Sequence, residues 1–108
     1  MELLVKLVIY IPETHADKLR MILGEAGAGK MGNYDFCSFS IKGVGRFRGL
    51  DGANPTIGAV GQLEAVDEER IETVCYERDA PRIIAAVRSA HPYEEPVIDI
   101  FPLLNHKY

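Results

Sequence analysis

The sequence contains few cysteines and no excess of basic residues. Its two cysteines, Cys37 and Cys75, form no C-x-x-C pair, which excludes a disulfide framework and a zinc knuckle. Free thiols are typical of a reducing compartment, so we expect a cytoplasmic protein. Twelve Lys and Arg residues against sixteen Asp and Glu give a net charge of -4. A basic patch for phosphate backbones or anionic lipid is therefore missing, and we expect neither nucleic acid nor membrane as a partner.

Long hydrophobic runs are also missing. The apolar stretch Leu3–Ile11 is interrupted by Lys6 and preceded by Glu2, where a signal peptide would carry basic residues. It is also too short to cross a bilayer, so we predict neither a signal peptide nor a membrane span. With 108 residues, 47% hydrophobic and 26% charged, the composition is that of a single globular domain, which we assign to residues 1–108.

The apolar periodicity predicts four or five strand segments and two helices. The first helix starts at a Thr14–Asp17 capping box and ends at Gly27, and the second starts at Asp79 with Pro81 in its first turn. Strands are predicted at 3–11 (central), 34–41, 62–66, 71–76 and 97–104 (at an edge, because of Pro102), with a bulge or bend at 67–69 and a glycine-rich connection at 42–62.

The predicted order β-α-β-β-α-β is typical of the ferredoxin-like α+β fold, an antiparallel sheet with both helices on one face. Two helices cover only one face of such a sheet, yet several strands carry apolar residues on both sides. We therefore predict a homo-oligomer, most simply a trimer, in which subunit association buries the second face. The glycine-rich connection is expected to be the most mobile part of the free protein.

The glycine-rich motif Gly24–Asn33 has two interpretations. Exposed backbone N–H groups around Gly27 and Gly29 would suit an anion. The alternative is a helix cap followed by a turn, which is favoured because the glycines follow a helix and Lys30 is not followed by Ser or Thr, as a P-loop requires.

A second motif follows the second predicted helix and reads Ala90-His-Pro-Tyr-Glu-Glu-Pro96. His91, Glu94 and Glu95 offer one imidazole and two carboxylates, ligand types that suit a divalent cation. The alternative is a structural turn in which Tyr93 packs, His91 caps the helix, and the glutamates are solvated or paired with Arg46 or Arg48. Both interpretations stay open at this point.

Two further groups of residues favour structural roles. Cys37 lies beside Ser38 and would be a nucleophile only with a base such as His91 nearby, so we expect both Cys37 and Cys75 to be buried apolar thiols. His15 and His106 are expected to face solvent. The acidic run from Glu64 to Glu72 is expected to be an exposed strand face with a bend.

Three segments together resemble a known family: residues 25–40, 52–58 and 90–96, joined by the shorter pieces 61–64 and 70–73. They resemble the insert domain of the YqfO-type branch of the NIF3-like proteins, over about Leu19 to Leu103. The resemblance implies a stand-alone version of that insert, with the trimer-forming fold of PII signalling proteins and CutA. In the family, a two-metal centre lies in the portions that flank the insert. Its ligands find no residue-by-residue match among the three histidines here, so the metal-enzyme role is not carried over.

The leading functional hypothesis is a non-catalytic oligomeric module that binds a small ligand or a divalent cation in clefts between subunits. The alternatives are a metal-assisted hydrolase and a protein-interaction module that uses the 43–61 loop. A hydrolase is disfavoured because such a site needs three or more ligands and a base. The predicted ligand-binding residues are Asn33, Tyr34, Cys37, Ser38, His91 and Tyr93, and the predicted metal ligands are His91, Glu94 and Glu95.

Overall fold

A computed structural model describes residues 2–108 as one four-stranded antiparallel sheet with two helices. The strands run in the order β2-β3-β1-β4, so β1 is central and β4 lies at an edge. This confirms the ferredoxin-like α+β class and the edge position inferred from Pro102. The elements are β1 (Leu4–Pro12), α1 (Ala16–Glu25), β2 (Phe39–Arg48), β3 (Leu63–Tyr76), α2 (Ala80–Ala90) and β4 (Ile98–Pro102), with short 3-10 turns at Glu13–His15, Glu77–Asp79 and Asn105–Lys107.

The core lies between the sheet and the two helices. Alternate residues of β1 point to the helices and pair across the sheet, so that Ile9 lies opposite Ile71 of β3 and both are fully buried. Val8, on the other face of β1, is fully buried as well, but Leu4, Lys6 and Tyr10 on that face are half-buried, so the prediction of a strand buried on both sides holds only in part. The core residues are Val5, Leu7, Ile9, Ile11, Ala16, Leu19, Leu23, Ala28, Ile71, Cys75, Ala80, Ile83 and Val87.

The second strand lies later in the sequence than predicted. It begins at Phe39 rather than Tyr34 and continues through Gly43 and Gly45 to Arg48, so the long connection covers residues 49–62 instead of 42–62. The glycines stay in the strand because β3 pairs with every residue of it, from Phe39 opposite Glu72 onward. A ladder of backbone hydrogen bonds outweighs the weak strand preference of glycine.

The third strand is continuous, and the predicted bulge or bend at 67–69 is wrong. Residues pair one to one along its whole length, with Glu68 opposite Pro12 on one side and Gly43 on the other. Glu68 and Glu69 are each only 8% exposed, which also corrects the expectation of a solvated acidic face. An interior strand has its backbone bonded on both sides, so acidic side chains do not interrupt it when each finds a partner.

The helix ends differ in part from the prediction. Gly27 adopts a φ of 100° after the last turn of α1, which confirms its role as the left-handed cap. The Thr14–Asp17 capping box is wrong, because the Thr14 hydroxyl contacts Nδ1 of His15 and the Asp17 carboxylate pairs with Arg20. Pro81 lies in the first turn of α2 as predicted. Neither helix in residues 2–108 has the length and apolar character that a bilayer span requires.

Candidate functional site

The glycine-rich segment after α1 uses its backbone N–H groups inside the chain. Gly27 and Ala28 donate to carbonyls of α1, and Gly29 donates to the Val74 carbonyl at 2.8 Å. A side chain at Gly29 would overlap the backbone of Cys37, so glycine is required there by close approach as well as by its φ of 81°. These N–H groups are therefore committed to a cap and a turn, not presented to an anion.

The predicted ligand residues that follow this segment lie on an exposed loop. Asn33, Tyr34 and Ser38 are exposed, and Cys37 is only half-buried, which corrects the prediction of a buried thiol there. The Cys37 carbonyl accepts a hydrogen bond of 2.8 Å from the Thr73 hydroxyl, which fixes the loop to β3.

Cys75, in contrast, is buried in the core as predicted. Burial raises the pKa of its thiol, with a smaller contribution from the negative charge of Asp79. A raised pKa keeps the sulfur protonated and lowers its reactivity. This cysteine therefore has a packing role.

His91 is held by two hydrogen bonds at the end of α2. Its Nδ1 accepts from the Tyr93 backbone N–H at 3.1 Å, so the neutral ring carries its proton on Nε2, which donates to the Tyr10 carbonyl at 2.7 Å. The side chain thus ties the turn to β1, next to the start of β4. The backbone N–H of His91 donates to the Val87 carbonyl at 2.8 Å, so His91 is the C-cap residue of α2, as one of the two interpretations predicted. Burial lowers the pKa of His91, and this effect outweighs the hydrogen bond to Tyr10 and the nearby charge of Glu68.

Tyr93 extends from this turn over the face of the sheet that the helices leave open. Its hydroxyl donates to the Glu68 carboxylate at 2.7 Å, and its ring contacts Phe47 edge to face at a centroid distance of 5.8 Å. Burial, together with the hydrogen bond to the charged Glu68, raises the pKa of Tyr93. The raised pKa keeps the phenol protonated, so at neutral pH it remains the donor of this hydrogen bond.

The 49–62 connection folds back toward the same turn. The Asn54 backbone N–H donates to the Glu94 carboxylate at 3.0 Å, and the Thr56 hydroxyl donates to the Pro92 carbonyl at 2.6 Å. Glu94 thus bonds a backbone amide rather than Arg46 or Arg48. These two contacts place the connection as a roof over the open sheet face.

A cavity of about 690 Å³ lies beneath this roof. The exposed area of its walls is mainly apolar, with three aromatic rings, although charged residues of both signs also line it. Ligand pockets in proteins share this size and character. The lining includes Tyr10, Gly45, Phe47, Leu50, Ala53, Pro55, Ile57, Glu68, Tyr93, Glu94, Glu95 and Val97, together with Arg46, Arg48, Gly49, Asp51, Gly52 and Thr56.

The two predicted motifs do not meet within one chain. The 33–38 loop lies beside Thr73, whereas the 90–96 turn lies beside Glu68, five residues earlier on β3. At about 3.3 Å per residue this is roughly 17 Å along the strand. Of the predicted ligand residues, only Tyr93 lines the cavity, and His91 lies behind it as a positioning residue.

The three predicted metal ligands do not converge on a common point, and two of them are hydrogen-bonded to other groups of the chain. Both ring nitrogens of His91 are hydrogen-bonded, and Glu94 accepts from Asn54. Within residues 2–108, no three His, Cys, Asp or Glu side chains are grouped so as to share a metal ion. A metal at His91 would have to displace one of its two hydrogen bonds.

Sequence reasoning missed most residues of the cavity, among them Tyr10, Phe47 and Glu68. The sequence of β2 contained a signal for Glu68. Gly43 and Gly45 occupy two positions of this strand that face the open side of the sheet, and neither carries a side chain. A side chain added at Gly45 would overlap the Glu68 carboxylate. Glycines facing a neighbouring strand thus mark the room into which a cross-strand side chain extends.

Comparison with known proteins gives relatives for nearly the whole chain, although no family model matches it. The chain is 49% identical over 104 residues to the GTP cyclohydrolase 1 type 2 homolog of Halalkalibacterium halodurans, which covers 96% of this chain and 28% of that protein. The chain therefore spans little more than a quarter of the curated relatives it matches.

Two solved structures show where the similarity lies. The structure of a Bacillus cereus protein related to NIF3 matches with a TM-score of 0.82 at 44% identity, covering 94% of this chain and 26% of that one. The divalent ion tolerance protein CutA1 of Ehrlichia chaffeensis matches with a TM-score of 0.69 at 16% identity, covering 97% and 85%. The second match shows the fold alone.

Proposed function

Because the chain is homologous to one segment of the NIF3-related proteins and has the fold of CutA, we propose that it is a self-associating, non-catalytic module that binds a small organic molecule beneath the 49–62 roof. The cavity between this roof and the open sheet face carries the proposal. Self-association and ligand binding both use the face of the sheet that the helices leave uncovered. We further propose that the protein is cytoplasmic, because its two cysteines are free thiols.

The open face has the character of a subunit interface. Phe39 and Ile41 of β2 and Phe101 of β4 lie on it and are 64%, 49% and 46% exposed. Between them runs a row of charges of both signs, in which Lys6 and Arg70 both pair with Glu72. Apolar groups around charges of both signs suit contact with a second copy of the same surface.

The names of the relatives refer to GTP cyclohydrolase, but we propose no catalytic role for this chain. It corresponds to about a quarter of those proteins, and its cavity holds no base placed beside a nucleophile. The buried ionisable pair in the cavity, Tyr93 and Glu68, is a hydrogen-bonded donor and acceptor that fixes the turn. The contacts support binding and orientation of a molecule, not bond cleavage.

Light scattering on the purified chain at micromolar concentration tests self-association. We expect a mass that is a multiple of 12.0 kDa, most simply three times that value. Phe39→Lys places a charge on the open face and should lower the mass. Met21→Lys is the matched control, because Met21 is 53% exposed on α1, on the opposite side of the sheet, and should leave the mass unchanged.

Two results would contradict this proposal. A wild-type mass equal to one chain would show that the open face is not a subunit interface. An equal loss of mass in Phe39→Lys and Met21→Lys would place the interface on the helices instead.

A further inference from the structure

We propose that the cavity beneath the 49–62 roof selects an organic cation, a flat apolar body bearing an amidinium, guanidinium or ammonium group, and that the Glu68 carboxylate receives that group. The inference rests on the proposed function, because it names the chemical class of the molecule that the cavity binds. It depends on the one buried carboxylate of the cavity and on the aromatic rings around it.

Glu68 is a buried carboxylate without an ionic partner. It is 8% exposed, and within residues 2–108 its only hydrogen bond is the one from the Tyr93 hydroxyl. The two basic side chains of the open face are committed elsewhere, since Lys6 and Arg70 both pair with Glu72. Burying a charge without a counter-charge is unfavourable. A cation that reaches Glu68 therefore supplies the ionic partner that the chain does not provide.

One oxygen of Glu68 remains available to such a cation. A carboxylate has about four acceptor positions over its two oxygens, and Tyr93 uses one of them. In the described part of the chain, no fully buried side-chain oxygen lacks a hydrogen-bond partner, so the second oxygen of Glu68 is reached from outside. The carboxylate packs against the backbone of Gly45, at a position where any side chain on that residue would overlap it.

The walls around Glu68 favour a flat apolar body. Tyr10, Phe47 and Tyr93 line the cavity, and the rings of Phe47 and Tyr93 are already arranged edge to face. Aromatic faces attract organic cations in addition to packing against flat groups. The charged residues of the lining carry both signs, with Arg46, Arg48 and Asp51 beside Glu94 and Glu95. All five are exposed, so Glu68 is the one buried charge of the cavity.

Three probes of the same shape test the charge preference: benzamidine, benzamide and benzoate, titrated into the full chain by NMR. We expect benzamidine to bind at least about tenfold more tightly than benzamide, and benzoate to bind more weakly still. Glu68→Gln keeps an acceptor for Tyr93 and should lower the benzamidine affinity by about tenfold or more. Asp67→Asn removes the same charge from an exposed position on the opposite face of β3, outside the cavity, and should change it by less than about threefold.

The results separate this inference from the proposed function. If benzamide or benzoate binds as tightly as benzamidine, the cavity is still a ligand site but the preference for a cation is refuted. Equal losses in Glu68→Gln and Asp67→Asn would refute the role of Glu68. If no probe binds at about 10 mM and Glu68→Gln lowers the oligomeric mass, a side chain of a second copy occupies the cavity and the inference fails.

Discussion

The two faces of the sheet bury neighbouring residues of the same type in different ways. On the face covered by the helices, Glu69 pairs with Arg20 of α1 at 2.6 Å, and Arg20 also contacts Ser40. On the open face, the adjacent Glu68 is equally buried but meets only the neutral hydroxyl of Tyr93. One carboxylate is neutralised within the chain, and the other keeps an unmatched charge. This difference separates a structural acid from the one that we propose to bind a ligand.

The same contrast holds for the apolar residues. Ile71 faces the helices and is fully buried, whereas Ile41, on the neighbouring strand, faces the opposite side and is 49% exposed. The helix-covered face is complete within one chain, whereas the open face leaves apolar side chains exposed, which is the basis of the proposed self-association. Three experiments test this contrast.

The largest effect is expected from truncating one isoleucine on each face. Ile71→Ala should lower the free energy of unfolding by about 2 to 5 kcal/mol, because it leaves a cavity in the core. Ile41→Ala should cost about 1 kcal/mol or less in the dissociated chain, since the side chain is already half in water. Urea unfolding at a concentration where the oligomer is dissociated measures both. Equal losses would show that the chain covers its own open face.

An intermediate effect is expected from neutralising each buried acid. Glu69→Gln removes the buried ionic partner of Arg20, leaves only the exposed Asp17, and should cost about 1 to 3 kcal/mol. Hydrogen bonds from Arg20 to Glu69 and Asp17 raise the pKa of Arg20, so the guanidinium stays charged in both proteins. Glu68→Gln keeps the bond from Tyr93, removes an unpaired buried charge, and should change stability by about 0.5 kcal/mol or less. A larger loss in Glu68→Gln than in Glu69→Gln would reverse the assignment of the two acids.

The smallest effect is expected from the protonation of His91. Its pKa is lowered in the folded protein by burial, so below about pH 6.5 the unfolded chain binds a proton that the folded chain does not. Stability should therefore be constant above this pH and fall as the pH is lowered from about 6.5 to 5.5. His91→Gln should remove this part of the decline, while His106→Gln, at an exposed position, should retain it. A pH profile identical in wild type and His91→Gln would contradict the assignment.

Local pattern predicted the fold because its signals lie within single elements. The alternation in residues 3–11 predicted a strand with apolar residues on both faces. The glycine after the apolar helix predicted a helix cap, and the φ of 100° at Gly27 confirms it. The errors arose where a neighbour decides the outcome. Gly43 and Gly45 belong to a strand because β3 pairs with them, and Glu68 is buried because Tyr93 and Gly45 surround it.

The sequence by itself determined the fold class, the element order, the edge strand and the relationship to the NIF3-like proteins. It also identified the 90–96 turn as unusual. Only the tertiary structure decided what that turn does, because the partners of its side chains lie far away in the sequence. His91 bonds Tyr10, Tyr93 bonds Glu68, and Glu94 bonds Asn54. Burial and charge compensation depend on groups that folding brings together, and such groups leave no periodic signal in any one segment.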